Sequence, residues 1–399
     1  MNLIHFWQFH DNSCIKIETD FMKPLLEKII PEDQFFYVTA KQMKVNESLL
    51  REIKQNPSRK IELKTLRKIV KFAQKRRINI SLNDFENHIT WFGYRLGRGI
   101  HNPKLPFRLN KPAFSTILSA SLGDGTITNR SGDSFKYTLG SFQYWNEKKE
   151  IRENVIDAAI VVFGGNESDY KIRPNRNSFV IFFPAIIRDL LLMSGSVQGE
   201  KSIINPKIPN QVKLSKQNNI NWLRQAFDDE GSVRHRTRSN HEVYLTRVVD
   251  INYGHVIGPK IRINFNKLLE DLKNKIRKNP PALLAEEGEL LEKLGINCKI
   301  IPQEIYSVKK AGRLKAKWRL YITRKNNIKK FAEIIGFSSP RKSKILSKIV
   351  DEKNAIYTES KRKSLGRENR ESDFHEMVSQ QNLRIQFEKH KSEEENLRY

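Results

Sequence analysis

Between residues 44 and 93 apolar positions recur every three or four residues, the spacing of a helix face. The stretch NESLLREIK opens on an Asn/Ser cap, and IELKTLRKIVKFAQKRR sets Ile61, Leu66, Ile69, Val70 and Ala73 along one side. SLNDFENHITWF follows with a Ser81 to Asp84 capping-box pattern and an apolar stripe of Leu82, Phe85 and Ile89. The short turn RINI joins the last two segments, so residues 1–110 are expected to be mainly helical, either as a helix-turn-helix-like pair or as a small bundle. Gly93 to Pro112, rich in Gly, Pro and basic residues, reads as a linker.

Beyond the linker the pattern changes to helices alternating with strands. AFSTILSASLGDG is helical, FKYTLGSFQYW a strand, KKEIRENVIDAAIVVFGG a helix, NSFVIFF a strand and AIIRDLLLMSG a helix. A second series starts with NINWLRQAFDDEG, continues with strands EVYLTRVVD and KIRINF, and adds helices at KLLEDLKNKI and EEGELLEKLG. In KWRLYI the alternation is clean, with Trp318, Leu320 and Ile322 on one side and Arg319 and Tyr321 on the other. NNIKKFAEIIG is helical, and the polar, mixed-charge residues 351–399 read as a tail. The fold class is therefore α+β, with domains at 1–110, 111–215, 216–350 and a tail at 351–399.

Composition narrows the partners. Over 399 residues, 72 Lys and Arg against 45 Asp and Glu leave a net charge of +27, which points to a polyanion, nucleic acid first, with a ribosome-type binder or a solvated basic surface as the alternatives. The two cysteines, Cys14 and Cys298, are too few for a disulfide framework or zinc cluster and suggest a reducing, cytoplasmic setting. The longest apolar run, Phe179 to Met193, is broken by Pro184, Arg188 and Asp189, so no membrane partner is expected. The first residues lack the charged start and apolar core of a signal peptide.

The two series repeat one another. A helix with small residues ends in Asp124-Gly125-Thr126-Ile127 in the first and in Glu230-Gly231-Ser232-Val233 in the second: acid, glycine, hydroxyl, β-branched residue. Lys201 lies six residues after Gly195 and Lys342 six after Gly336, and each is followed by Ser. Acid-to-lysine separations of 77 and 112 residues imply an insertion of 35 in the second series, near 267–300. Ser119, Ala120, Ser121 and Gly123, facing Gln225, Ala226 and Gly231, allow the two helices to approach closely. An acid at a helix C-terminus is disfavoured by the backbone field, and two acids meeting near a pseudo-twofold axis repel. A divalent cation resolves both problems, and hard oxygen ligands without His or Cys select Mg²⁺, or Mn²⁺, over Zn²⁺.

These residues resemble the LAGLIDADG homing endonucleases in their single-chain, two-motif form. The naming motif looks like ILSASLGDG (117–125) and LRQAFDDEG (223–231), and the endings LGDGTI and FDDEGSV are similar to those of intein-associated and archaeal members. The likeness runs from about Ala113 to Val350. It implies two pseudo-symmetric αββαββα halves whose antiparallel strands form a saddle over the DNA major groove, with Asp124 and Glu230 as the metal-binding acids. Lys201 and Lys342 match the basic residues that activate water or stabilise charge, with Lys213 and Lys344 as alternatives. Asp228 and Asp229 depart from the motif's apolar or small residues and are assigned to the helix surface or to a supporting position.

Hydrolysis of a phosphodiester needs a nucleophilic water, stabilisation of pentacovalent charge and neutralisation of the leaving oxygen, which cations held by two acids supply. The resemblance adds a staggered double-strand break with 3′ overhangs. For DNA contact, VRHRTRS sets Arg234, Arg236 and Arg238 on one strand face, with Lys136, Tyr137, Gln143, Tyr144 and Arg247 as further candidates. The expected protein is a monomeric, site-specific endonuclease of double-stranded DNA. It is expected to be free-standing or intron-encoded and not an intein, since the C-terminus shows no His-Asn pair. Two alternatives stand: an RNA maturase that binds intron RNA, and a DNA-binding regulator with helix-turn-helix and LAGLIDADG modules in which catalysis is lost.

Overall fold

Strands, not only helices, organise the N-terminal residues. A computed structural model describes residues 3–30, 36–128, 140–176, 178–235, 241–251, 262–308 and 313–351; the polar tail lies outside them. The chain begins with β1 (Leu3–Ile4), β2 (Ser13–Ile17), α1 (Thr19–Ile29), α2 (Phe36–Met43), α3 (Glu47–Gln55), β3 (Ile61–Glu62) and α4 (Leu63–Lys75), followed by β4 (Ile89–Tyr94), β5 (Gly99–His101) and β6 (Phe107–Arg108). β3, β2, β4 and β5 form an antiparallel sheet in that order. The expected cap of α3 is present, Asn46 Oδ1 accepting from Ser48 N at 2.9 Å, and α4 buries Leu66, Ile69, Val70 and Ala73 as the spacing requires.

Two expectations fail here. Ser81 and Asp84 form their capping box, but it opens only a 3₁₀ turn, Leu82–His88. The residues after it are β-branched and aromatic, and ITWFGY pairs between β2 and β5, where strand partners override a local helix signal. The segment after RINI is not a second helix, so the expected helix pair across that turn does not form. The supposed linker is also structured: it supplies β5 and β6 and buries Ile100, Phe107 and Leu109.

Those buried residues join the next elements: α5 (Pro112–Leu122), β7 (Gly125–Ile127), β8 (Phe142–Asn146), α6 (Lys149–Phe163), β9 (Lys171–Asn175), β10 (Ser178–Phe182) and α7 (Ala185–Met193). The order is αββαββα, with sheet order β7-β8-β10-β9. Phe107 meets Phe163 edge-on at 5.6 Å, Lys104 N donates to Phe163 O at 2.9 Å, and Tyr94 Oη donates to Asp189 Oδ2. Residues 1–199 with 209–225 thus form one compact unit.

The second unit takes residues 200–208 and the chain from 226 onward, so the division falls inside a helix. Its elements are α8 (Lys201–Ile204), α9 (Lys216–Glu230, shared with the first unit), β11 (Gly231–Arg234), β12 (Glu242–Asp250), β13 (Arg262–Asn264), α10 (Glu270–Arg277), α11 (Ala282–Lys293), β14 (Lys299–Val308), β15 (Arg313–Ile322), α12 (Lys325–Ile334) and α13 (Pro340–Asp351). The antiparallel sheet runs β11-β12-β15-β14-β13. On β15, Leu314, Ala316, Trp318, Leu320 and Ile322 are buried, as the alternation requires. Strand β14 is not expected from the sequence alone, because Pro302 argues against a central strand; the register shifts between Pro302 and Glu304, and this irregularity accommodates the missing donor. β13 and α10 have no counterpart among the described elements of the first series. No described helix is long and apolar enough to cross a membrane.

Candidate nucleic-acid interface and active site

Each motif acid stands at a corner where a helix turns directly into an edge strand. Gly123 N still donates to Ser119 O at 2.7 Å, and Gly125 then opens β7 opposite Tyr144. A Cβ on Gly125 would lie 2.5 Å from Ala120 O and 2.8 Å from Ser121 Cα; on Gly231 it would lie 2.5 Å from Phe227 O and 2.7 Å from Phe227 Cα. Neither glycine has a positive φ. Their role is close approach of the strand to the helix's last turn, at equivalent positions in both motifs, and not a left-handed helix stop.

Asp124 is approached by a neutral amide. Its Oδ2 accepts from Asn146 Nδ2 at 3.2 Å, which also points at Tyr144 Oη at 3.3 Å. Gln225 Nε2 donates to the same hydroxyl at 3.0 Å. The small residues of α5 act as expected: Ser119 Oγ donates to Trp222 O at 2.9 Å, an approach that needs the two helix backbones close together. Tyr144, expected on DNA, is instead fully buried with its hydroxyl inside this network. The physical reason is strand alternation, which turns Tyr144 inward and leaves Gln143 half-buried on the other face, its Nε2 donating to Ser141 Oγ at 3.0 Å.

Around Glu230 the partners are charged. Arg247 Nη1 donates to Glu230 Oε1 at 2.9 Å, while its Nε and Nη2 reach Glu287 at 3.2 and 2.6 Å. Glu287 is fully buried, Arg247 is 5% exposed and the Glu230 side chain 32% exposed. Burial works against the Arg247 charge, but Glu230 and Glu287 more than offset it, so the guanidinium is held charged above its ordinary range. Arg247, expected on DNA, is therefore corrected to a buried support for Glu230, because β12 turns it inward toward Glu287.

The other motif residues divide in the same way. Asp228 is 2% exposed, not on the helix surface; both its oxygens accept from Ser338 N at 3.0 Å, holding the entry to α13. Burial pushes its carboxyl upward, against the Ser338 hydrogen bonds and the nearby Lys342 charge. Lys342 Nζ donates to Phe227 O and Asp228 O at 3.0 and 2.6 Å, so its ammonium caps the carbonyl end of α9. Lys201 opens α8, in the second unit, whereas Asp124 belongs to the first. Among the described residues no group of three or more His, Cys, Asp or Glu side chains forms a metal cluster.

The second sheet presents a basic and aromatic face. Arg234 stacks over Tyr244 at 4.9 Å and pairs with Glu242 at 3.2 Å; Arg319 lies over the same ring at 4.6 Å. Beside them β15 sets Arg313, Lys315, Lys317 and Arg319 on alternate positions, opposite the buried set. Lys315 pairs with Glu200, and Lys317 with Glu304 at 3.2 Å. Sequence reasoning missed this row although its signal, a cation at every second residue of RLKAKWR, was present. In the first sheet, Thr126, Gln143, Phe182 and Lys171 lie opposite one another across four strands, a less charged row. Lys136, Tyr137, Arg236 and Arg238 lie outside the described residues.

No protein-family description matches the chain, and no curated protein sequence matches it. Several solved structures are similar to parts of it. The homing endonuclease I-DmoI in complex with DNA and Mn matches at 10% identity over 56% of this chain and 96% of its own, with a TM-score of 0.31. The N-terminal LAGLIDADG domain of DUF199/WhiA matches at 14% identity over 62% and 91%, with a TM-score of 0.31. The homing endonuclease I-WcaI bound to its DNA recognition sequence matches at 14% identity over 59% and 85%, with a TM-score of 0.30.

Proposed function

We propose that the chain is a monomeric, site-specific DNA endonuclease of the LAGLIDADG type, whose two pseudo-symmetric motifs make a staggered double-strand break by metal-dependent hydrolysis. The observation that carries this reading is the corner built twice: an acid, then a glycine pressed on the preceding helix turn, at the start of an edge strand. A pure binding protein has no use for a carboxylate aimed at phosphate, which it repels. The polar face of the second sheet adds the cations a DNA backbone requires.

The acids suit a hard divalent cation. Asp124 offers carboxylate oxygen, one atom of which accepts from the Asn146 amide. Glu230, Arg247 and Glu287 carry two negative charges and one positive, so their net charge is −1 and still attracts a cation. When bound by Asp124 and Glu230, Mg²⁺ or Mn²⁺ would supply a more acidic water and neutralise the leaving oxygen. Arg247 orients Glu230, and Lys342 fixes the end of α9 on which Glu230 stands. Lys201 is proposed to stabilise charge on the phosphate. Arg234 and the β15 row grip backbone phosphates, and Gln143 faces the groove from the first sheet.

The test is Mg²⁺-dependent cleavage of a randomised duplex library by the full chain. Asp124→Asn and Glu230→Gln should each abolish cutting while duplex binding stays near wild type; cutting at the wild-type rate by either variant sinks the assignment. Tight binding to a host intron RNA without cleavage of any duplex would assign a maturase instead.

A further inference from the structure

Helix α4 carries a charge stripe that takes no part in either corner or in the open sheets. Its sequence, LKTLRKIVKFAQK, holds Lys64, Arg67, Lys68, Lys71 and Lys75 and no acid. All five cations are exposed, while Leu63, Leu66, Ile69, Val70, Phe72 and Ala73 face the core. Like charges thus stand four residues apart at Lys64 and Lys68, Arg67 and Lys71, and Lys71 and Lys75, an arrangement that destabilises a helix.

Local partners relieve part of this. Lys64 pairs with Glu62 at 2.8 Å and Arg67 with Asp11 at 3.2 Å. Lys68 Nζ donates to the carbonyl of another lysine, Lys44, at 2.6 Å. Among the described residues Lys71 and Lys75 have no acidic partner. A helix of this length runs about 20 Å, close to the rise of six base pairs. It is not carried on a tether either: its sheet is tied to the Asp124 half by the Tyr94 bond to Asp189 and by His101, whose Nδ1 lies 2.6 Å from Asp169 Oδ1.

We infer that the exposed face of α4 is a second DNA-binding surface, which grips backbone phosphates beyond the stretch engaged by the open sheets. This rests on the endonuclease reading above. The stripe offers ammonium and guanidinium groups on long stems, so it adds affinity irrespective of sequence. The polyanion offsets the like-charge repulsion that the fold itself leaves in place.

The test follows binding of the full chain to a long mixed-sequence DNA duplex, without divalent metal, across a series of salt concentrations. With Lys68→Gln, Lys71→Gln and Lys75→Gln combined, the slope of log K against log salt should become shallower by about 0.9 for each phosphate no longer neutralised, up to roughly 2.7. Lys75→Gln alone should take about a third of that change, and arginine at the three positions should restore the wild-type slope. Glutamine variants that melt like wild type and keep its slope overturn the inference. A wild-type chain that binds no duplex overturns the endonuclease reading, a different result. A slope that responds only on an RNA duplex overturns the assignment to DNA.

Discussion

The two motif corners share a backbone and differ in the side chains seen to meet the acid. Both place an acid before a glycine that no larger residue can replace without meeting backbone atoms within 3 Å. Asp124 is then held by a neutral amide, Asn146, in a network with Tyr144 and Gln225. Glu230 is held by Arg247, a buried cation that also neutralises the buried Glu287. Close packing fixes where the acid stands, while its orientation depends on the side chains the neighbouring strands turn inward. The first corner includes the hydrogen bond from the Asn146 amide, and the second the Arg247 guanidinium shared between Glu230 and Glu287.

Removing the buried cation should break the comparison most visibly. Arg247→Met takes the guanidinium away from the buried Glu287 carboxyl group, and the second unit should lose about 3–5 kcal/mol of stability in denaturant titration. The matching change in the first corner, Asn146→Ala, should cost only about 1–3 kcal/mol, because it removes the hydrogen bonds to Asp124 Oδ2 and from Lys148 N. Equal losses in the two variants would mean that the corners are energetically alike.

The smallest effect concerns the sheets. Arg262, and after it Lys317, holds the Glu304 carboxyl down from 4.5 to about 2. A depressed carboxyl stabilises the fold above its unfolded value and loses that contribution as pH falls, here from about 4.5 toward 2. Glu304→Gln should therefore make acid unfolding of the second unit shallower over that window, followed by circular dichroism. Among the described residues Lys171 and Arg173 in the first sheet have no acidic partner, so their replacement by glutamine should leave the acid limb unchanged.

Much of this arrangement was legible before folding. EVYLTRVVD matches β12 residue for residue, and KWRLYI lies within β15 with the expected faces, because period-two alternation over a half-buried sheet has few other solutions. The paired Asp-Gly and Glu-Gly signals were visible because they recur. ITWFGY misleads, since a genuine capping box precedes it and only the distant strands β2 and β5 decide its conformation. β14 is hidden because a proline inside a strand is tolerated only where a register shift absorbs it.

The chain's own pattern was enough for the α+β class, the repeat, the two acids and the basic character of the molecule, because these depend on local spacing and net charge. It was not enough to separate Arg234 from Arg247, or Gln143 from Tyr144. Both members of each pair are residue types able to contact DNA, and they part only when cross-strand pairing turns one member toward the polar face of its sheet and the other toward a buried partner. Long-range packing and hydrogen bonding, Phe107 on Phe163, Tyr94 to Asp189 and His101 to Asp169, also placed residues 1–110 in one unit with Asp124, which no local signal in Gly93 to Pro112 disclosed.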